Sequence, residues 1–218
     1  IFSKIGVKYH TFIEFGAGGK TSNTENLIVN FGWSGLLIDG SDEALNETKN
    51  RYKSYHIPDG QVKTLCSWIT KDNINELFSK SGFSGEIDLL SIDIDGNDYW
   101  VWESINTVNP RVVVIEYNGS FGDERSITIK YNESHNKFDF DPFGWYHGAS
   151  LKAMEKLGTQ KGYTLICCDS SGANAFFVRN DLLCEPFKKL SAKEAFYSYA
   201  EREKIMSPQE QYRQIINI

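Results

Sequence analysis

The chain has few cysteines, and their spacing excludes the usual metal frameworks. Cys66, Cys167, Cys168 and Cys184 form no C-x-x-C pair, so zinc is not expected. Cys167 and Cys168 are neighbours and point to opposite faces of a strand. The expectation is buried, reduced thiols in a cytoplasmic protein. No apolar run approaches the ~20 residues that a membrane-spanning helix needs. No charged-then-apolar stretch follows Ile1, so the sequons at Asn46, Asn118 and Asn132 are read as chance. Clustered positive charge is also missing. The net charge is −6 and the one compact basic pair is Lys188-Lys189, which sets nucleic acid aside as a substrate.

Aromatic residues are plentiful, at 14% of the chain, within an otherwise ordinary globular composition. Their placement is uneven, and it follows the organisation of the chain. Strand and helix patterns alternate from Thr11 to Glu116, which predicts an α/β fold with a mostly parallel sheet. Strands are expected at Thr11–Phe15, Ser34–Ile38, Gln61–Cys66, Ile87–Ile92 and Arg111–Glu116. Helices are expected at Ser22–Phe31, after caps at Ser41 and Asp72, and over Tyr99–Ile105. Continuous apolar strands such as Val112-Val113-Val114-Ile115 suit a sheet covered by helices on both faces.

Residues 118–147 interrupt this rhythm with Phe121, Tyr131, Phe138, Phe140, Phe143, Trp145 and Tyr146. So long a connection is usually functional, and so many aromatics argue against disorder. A helix over Ala149–Lys161 and two strands, Thr164–Cys168 and Ala173–Val178, then form a hairpin-like end to the sheet. Capping boxes at Ser191/Glu194 and Ser207/Glu210 predict two helices within 191–216, whose Phe196 and Tyr199 could pair two subunits. One domain is expected to span 1–218, with 118–147 as an insertion on the substrate side.

The first chemical signal is Glu14-Phe15-Gly16-Ala17-Gly18-Gly19, between a strand and a helix. Glycine there permits a tight turn and a close approach to a ligand. Asp39 ends the next strand, where an acid can accept hydrogen bonds from both ribose hydroxyls of a nucleoside cofactor. NAD and S-adenosylmethionine (SAM) both suit this geometry. Thr21 stands where a dinucleotide fingerprint has its third glycine, and Glu14 suits a cationic ligand better than a pyrophosphate. The length suits a single methyltransferase domain rather than a two-domain dehydrogenase. SAM is therefore the leading reading. An NAD-dependent oxidoreductase and a non-catalytic nucleoside-binding module are the alternatives.

A second signal is the acid-rich segment Ile87-Asp88-Leu89-Leu90-Ser91-Ile92-Asp93-Ile94-Asp95-Gly96-Asn97-Asp98-Tyr99. Asp93 and Asp95, two apart, face one side of an extended backbone at a strand's carboxyl end, and Glu116 and Asn118 repeat that spacing. Asp93, Asp95, Glu116 and Asn118 form a candidate oxygen set for a hard cation such as Mg²⁺.

On Phe12–Gly19, Leu36–Ser41 and Ile87–Tyr99 the chain resembles the class I SAM-dependent methyltransferases, and within them the FkbM-like branch. The resemblance runs from about Phe12 to Arg179. It implies a Rossmann-like seven-stranded sheet of order 3-2-1-4-5-7-6, with the last strand antiparallel. It also implies that Glu14, Gly16, Ala17 and Gly18 hold the methionine part, that Asp39 holds the ribose, and that Ser67 and Trp68 lie near adenine, with Asp93 at the cofactor or the acceptor. Metal-dependent catechol-type relatives carry a lysine base three residues after the metal Asp, where this chain has Gly96. His147 is the candidate base in its place, with His135 in reserve. The implied activity is O-methylation of a sugar or related small metabolite of surface glycan or secondary metabolism.

Overall fold

The computed structural model describes residues 1–18, 22–140, 144–198 and 215–218. Gly19, Thr21, Asp141, Phe143, Tyr199, Ser207 and Glu210 lie outside them. The described residues form two compact units, one of residues 1–93 with 104–113 and one of residues 94–103 with 114–218.

The first unit opens with a short helix, α1 (Phe2–Ile5). Then β1 (Thr11–Phe15), α2 (Glu25–Phe31), β2 (Ser34–Asp39), α3 (Asp42–Ser54), β3 (Val62–Cys66), α4 (Ile74–Lys80) and β4 (Gly85–Ile92) alternate as the apolar periodicity requires. Strand β1 lies between β2 and β4 and is parallel to both, and β2 is parallel to β3. Phe12, Ile13 and Phe15 are fully buried in it. Within β4, buried Asp88 accepts hydrogen bonds from the backbone N–H groups of Lys8, Tyr9 and Thr11. The Arg111 guanidinium lies 3.3 Å from Asp88 and donates to the carbonyls of Ile5 and Gly6. Asp88 is thus an anchor for the N-terminal segment.

Helix α5 (Asp98–Ser104) leads into β5 (Val108–Glu116), whose last residues belong to the second unit. That unit continues with β6 (Ile127–Ile129), α6 (Lys137–Phe140), α7 (Leu151–Gln160), β7 (Tyr163–Cys168), β8 (Asn174–Arg179), α8 (Ala192–Ala195) and β9 (Ile215–Asn217). The large sheet has seven strands in the order β3-β2-β1-β4-β5-β8-β7, and β8 is antiparallel to β7. These labels depart from 3-2-1-4-5-7-6 because β6 pairs with β9 in a separate two-stranded sheet. The expected α/β class, a Rossmann-like mostly parallel sheet with an antiparallel end, is what the chain forms. Among the described residues, no helix is long and apolar enough to cross a membrane.

Several boundaries move for identifiable reasons. Helix α2 starts at Glu25 rather than Ser22, because Ser22, Asn23 and Thr24 all donate to Glu14. Helix α4 is capped at Asn73 rather than Asp72; Thr70 and Asn73 bond reciprocally through side chain and backbone. Ser41 and Ser150 cap α3 and α7 by accepting from Ala44 and Ala153. The Ser191/Glu194 capping box forms, but α8 is only four residues long. At the far end of the expected helical stretch, Ile215–Asn217 is a strand instead. Ile215 packs on Phe121, Ile127, Ile129 and Tyr146, so an apolar face draws those residues into a ladder. Phe196 lies against the ring of Tyr117 in its own chain, 6.2 Å between centroids.

Candidate functional site

The glycine loop of the first unit is built on two carboxylates. Glu14, buried near the end of β1, accepts from the N–H of Asn23 at 2.8 Å, the N–H of Thr24 at 3.1 Å and the Ser22 hydroxyl at 2.7 Å. The Thr24 hydroxyl donates to it as well. Burial pushes the Glu14 carboxyl up from its ordinary range, and these four donors pull the other way. Glu14 therefore shapes the return of the loop into α2. Ser22, Asn23 and Thr24 were not singled out from sequence; three consecutive donors soon after a buried acid are the signal that marks them. Asn23 also donates to Ser91 on β4 at 3.2 Å.

Asp39 holds the other side of the loop. Its Oδ2 accepts from the Gly18 N–H at 2.8 Å and its Oδ1 from the Ser41 N–H at 2.7 Å. Gly16 has φ +65°, in the left-handed region that favours glycine. At Gly18 the need for glycine is one of space. A Cβ there would stand 2.5 Å from the Ala44 Cβ and 2.7 Å from Asp39 Oδ2. Ala17 is fully buried, and its carbonyl lies 3.5 Å from the Thr48 hydroxyl of α3. Loop, β2 and α3 are thereby locked together.

Trp68 stands beside this clamp and is 55% exposed, so it is not a core tryptophan. Its indole covers Gly40, where a Cβ would come within 3.0 Å of the ring. Ser67 reaches the same place through its N–H, which donates to the Asp39 carbonyl at 2.9 Å. An exposed indole next to an acid and a backbone loop is an arrangement that suits a base, a ribose and a small polar tail. Asp93 lies just past β4, half-buried.

The second unit gathers the other candidates. Asp98 begins α5, fully buried, and accepts from the N–H groups of Ile94 at 2.9 Å and Gly96 at 3.0 Å. Burial pushes its carboxyl up to about 6. Asp98 thus folds the turn that presents Asp95, which has φ +54°. Carboxylate oxygens of Asp95 and Glu116 lie within 4.8 Å of each other. Glu116 Oε1 is 3.6 Å from His147 Nε2, and His147 Nδ1 is 2.9 Å from the Gly144 carbonyl. A carbonyl only accepts, so Nδ1 carries the proton and Nε2 is turned to the carboxylate.

Asn118 is fully buried and braces this pair. Its Nδ2 donates to the carbonyls of Trp145 at 2.9 Å and His147 at 3.0 Å, and its Oδ1 accepts from the Ser120 N–H. The Asn118 N–H donates to the Ala149 carbonyl, and the Gly148 N–H to the Gly96 carbonyl. The end of β5 and the α5 turn thus seat the strip 144–149.

Gly96, where the catechol-type pattern has lysine, is covered by His135. A Cβ at Gly96 would meet His135 Cδ2 at 2.3 Å. His135 is stacked on Phe140, 5.5 Å between centroids, and burial pushes its pKa down. A lysine nevertheless reaches the cluster from elsewhere: Lys137 forms an ion pair with Asp95. Sequence reading missed Lys137, because forty-two positions separate it from its partner. The aromatic insertion divides into two roles. Phe121 and Tyr146 form a small core with Ile127 and Ile129, while Phe138 and Phe140 stay exposed.

No protein-family model matches the chain, and no curated protein does. Solved structures do match. The N-terminal domain of EvdMO1, solved with S-adenosylhomocysteine (SAH) bound, superposes with a TM-score of 0.50 at 14% identity, covering 81% of this chain and 75% of that one. A SAM-dependent methyltransferase from Clostridium acetobutylicum ATCC 824 gives a TM-score of 0.49 at 12% identity, over 82% of this chain and 87% of that one. The O-methyltransferase segment of StiE gives 0.48 at 10% identity, over 93% and 76%. At these identities the likeness is one of fold, and the EvdMO1 domain carries it.

Proposed function

We propose that the chain binds SAM and transfers its methyl group to a hydroxyl oxygen of a small acceptor, a sugar or related metabolite, as in the FkbM-like branch. The observation that supports this most is the Asp39 clamp, with its Gly18 loop on one side and the exposed Trp68 on the other. In this reading Trp68 stacks on adenine, Asp39 accepts from the ribose, and the backbone of Gly16–Gly18 lines the methionine part. Glu14 acts by holding that backbone in shape. The bound sulfonium supplies an electrophilic methyl carbon. An acceptor oxygen held in line would take that carbon, and the electron pair of the carbon–sulfur bond would leave with sulfur.

The chain's own contribution is placement and proton removal. Reacting atoms must be held at about 3–3.5 Å and in line. His147 and Glu116, 3.6 Å apart, are the proposed acceptor of the hydroxyl proton. The Gly144 carbonyl keeps the imidazole in the tautomer that serves them. A Mg²⁺ ion is a narrower proposal, and it would have to displace the Lys137 ammonium from Asp95. Such an ion would lower the pKa of the acceptor hydroxyl. Asn118 contributes to it less directly than expected, since its amide already braces residues 145–147. A rate unchanged by chelator removes the metal from the mechanism.

Calorimetry with SAM, SAH and NAD tests the main reading. Binding of SAM and SAH, weakened by Asp39→Ala and Trp68→Ala, is the expected result. Binding of NAD without SAM overturns it.

A further inference from the structure

We infer that Asp95, Lys137 and Phe138 form a polyol-binding subsite that takes one pyranose ring with vicinal hydroxyls. The inference rests on the methyltransferase reading only in naming the acceptor; its geometry lies wholly within the second unit. Three observations converge on Lys137. Its ammonium pairs with Asp95 and also lies 5.4 Å from the centroid of the Phe138 ring. Its side chain is only 20% exposed, whereas the Asp95 side chain is 54% exposed and Phe138 is 60% exposed. Gly144, with φ +68°, makes room for both neighbours: a Cβ there would come within 3.1 Å of Lys137 Cδ and of Phe138 Cε1. The ammonium is therefore held down as a fixed group, and the carboxylate and the ring face outward around it.

That combination matches the chemistry of a sugar. A pyranose has a C–H face, which buries against an exposed aromatic ring. Its hydroxyls each donate and accept. A carboxylate beside an ammonium offers an acceptor and donors side by side, and both are charged, which makes each hydrogen bond stronger than a neutral one. The left-handed backbone of Asp95, held by Asp98 through the N–H groups of Ile94 and Gly96, turns the side chain out of the turn. A divalent cation at Asp95 would first have to displace an ammonium carried by the same chain. A hydroxyl pair needs no such displacement.

The test is saturation-transfer NMR on the full chain with SAH present, using methyl α-glucopyranoside, methyl α-mannopyranoside and methyl α-rhamnopyranoside as probes and catechol as a flat diol control. Saturation of the pyranoside C–H protons is expected, together with loss of the signal in Phe138→Ala. Asp95→Asn and Lys137→Met are each expected to weaken binding about tenfold. Together they should cost little more than either alone, because the two charges act as one unit. All three side chains are at or near the surface, and a wild-type melting curve for each variant confirms folding. Absence of saturation for every pyranoside while SAH binds overturns the proposal, as does saturation unchanged by Phe138→Ala and Asp95→Asn. A parallel Mn²⁺ titration by electron paramagnetic resonance supplies the opposing case. Mn²⁺ held by the wild type and lost in Asp95→Asn, with no pyranoside signal, assigns the carboxylate to a metal. If SAH fails to bind while pyranosides still saturate, the methyltransferase reading falls and the subsite stands.

Discussion

Replacing Gly18 with alanine tests the proposed cofactor loop at its tightest point. The new methyl carbon would lie 2.5 Å from the Ala44 Cβ and 2.7 Å from Asp39 Oδ2. Both distances are far inside van der Waals contact, and neither neighbour is the free end of a flexible side chain. Ala44 is fixed in the first turn of α3 by Ser41, and Asp39 is tied to the Ser41 N–H. Relief must come from moving the loop away from β2, which breaks the 2.8 Å bond from Gly18 to Asp39. Overpacking of this kind costs about 1–3 kcal/mol of stability. If Asp39 holds the ribose as proposed, a displaced carboxylate would also lose one or both of those hydrogen bonds, for a fall in SAH affinity of about 10–100-fold. Urea unfolding and calorimetry measure the two effects separately. Adding Ala44→Gly should restore part of the stability, since it removes the 2.5 Å contact and leaves the one to Asp39. Wild-type affinity for SAH in Gly18→Ala would refute the clamp as the cofactor site.

Other perturbations bear on the second unit. Asp98 has a folded pKa near 6, above the 3.8 of a free aspartate, so the folded state binds more protons between those values and stability falls as pH rises through that window. Asp98→Asn, which does not titrate, should flatten that slope in urea midpoints taken from pH 4 to 7. Asn118→Ala takes one donor from each of the carbonyls of Trp145, which keeps the His147 N–H, and His147, and a loss of about 1–3 kcal/mol is expected by urea unfolding. Gly96→Ala drives a methyl group into His135, and His135→Ser should rescue the lost stability. An unrescued Gly96→Ala would mean that the backbone rather than His135 sets the limit.

The alternation of apolar segments and turn residues was enough to place β1 to β5, the β7–β8 pair and helices α2 to α5 and α7, but not α6. Those patterns reflect which faces must be buried, and burial is a local property of each segment. The turn Glu14–Gly18 and the place of Asp39 at the end of β2 were legible for a similar reason, since strand, turn and helix follow one another at predictable offsets. Side-chain commitments were not legible in this way. Glu14 shapes the return of the loop, Asp98 folds a turn and Asn118 braces a strip, and each of these tasks depends on partners that only tertiary packing supplies.

The end of the chain and the acidic cluster depended most on distant contacts. Residues 215–217 carry a helix-compatible sequence, yet β6 offers them an unpaired edge above an apolar cluster, and pairing wins. Lys137 meets Asp95 across forty-two positions, and His135 covers Gly96 from a similar distance, so no spacing rule joins them. By itself the sequence determined the layered α/β fold and the loop at the end of β1, because periodicity and glycine act on neighbouring residues. Only the tertiary structure decided which acids brace the backbone and which face outward, because hydrogen-bond partners and burial are set by chain segments remote from one another.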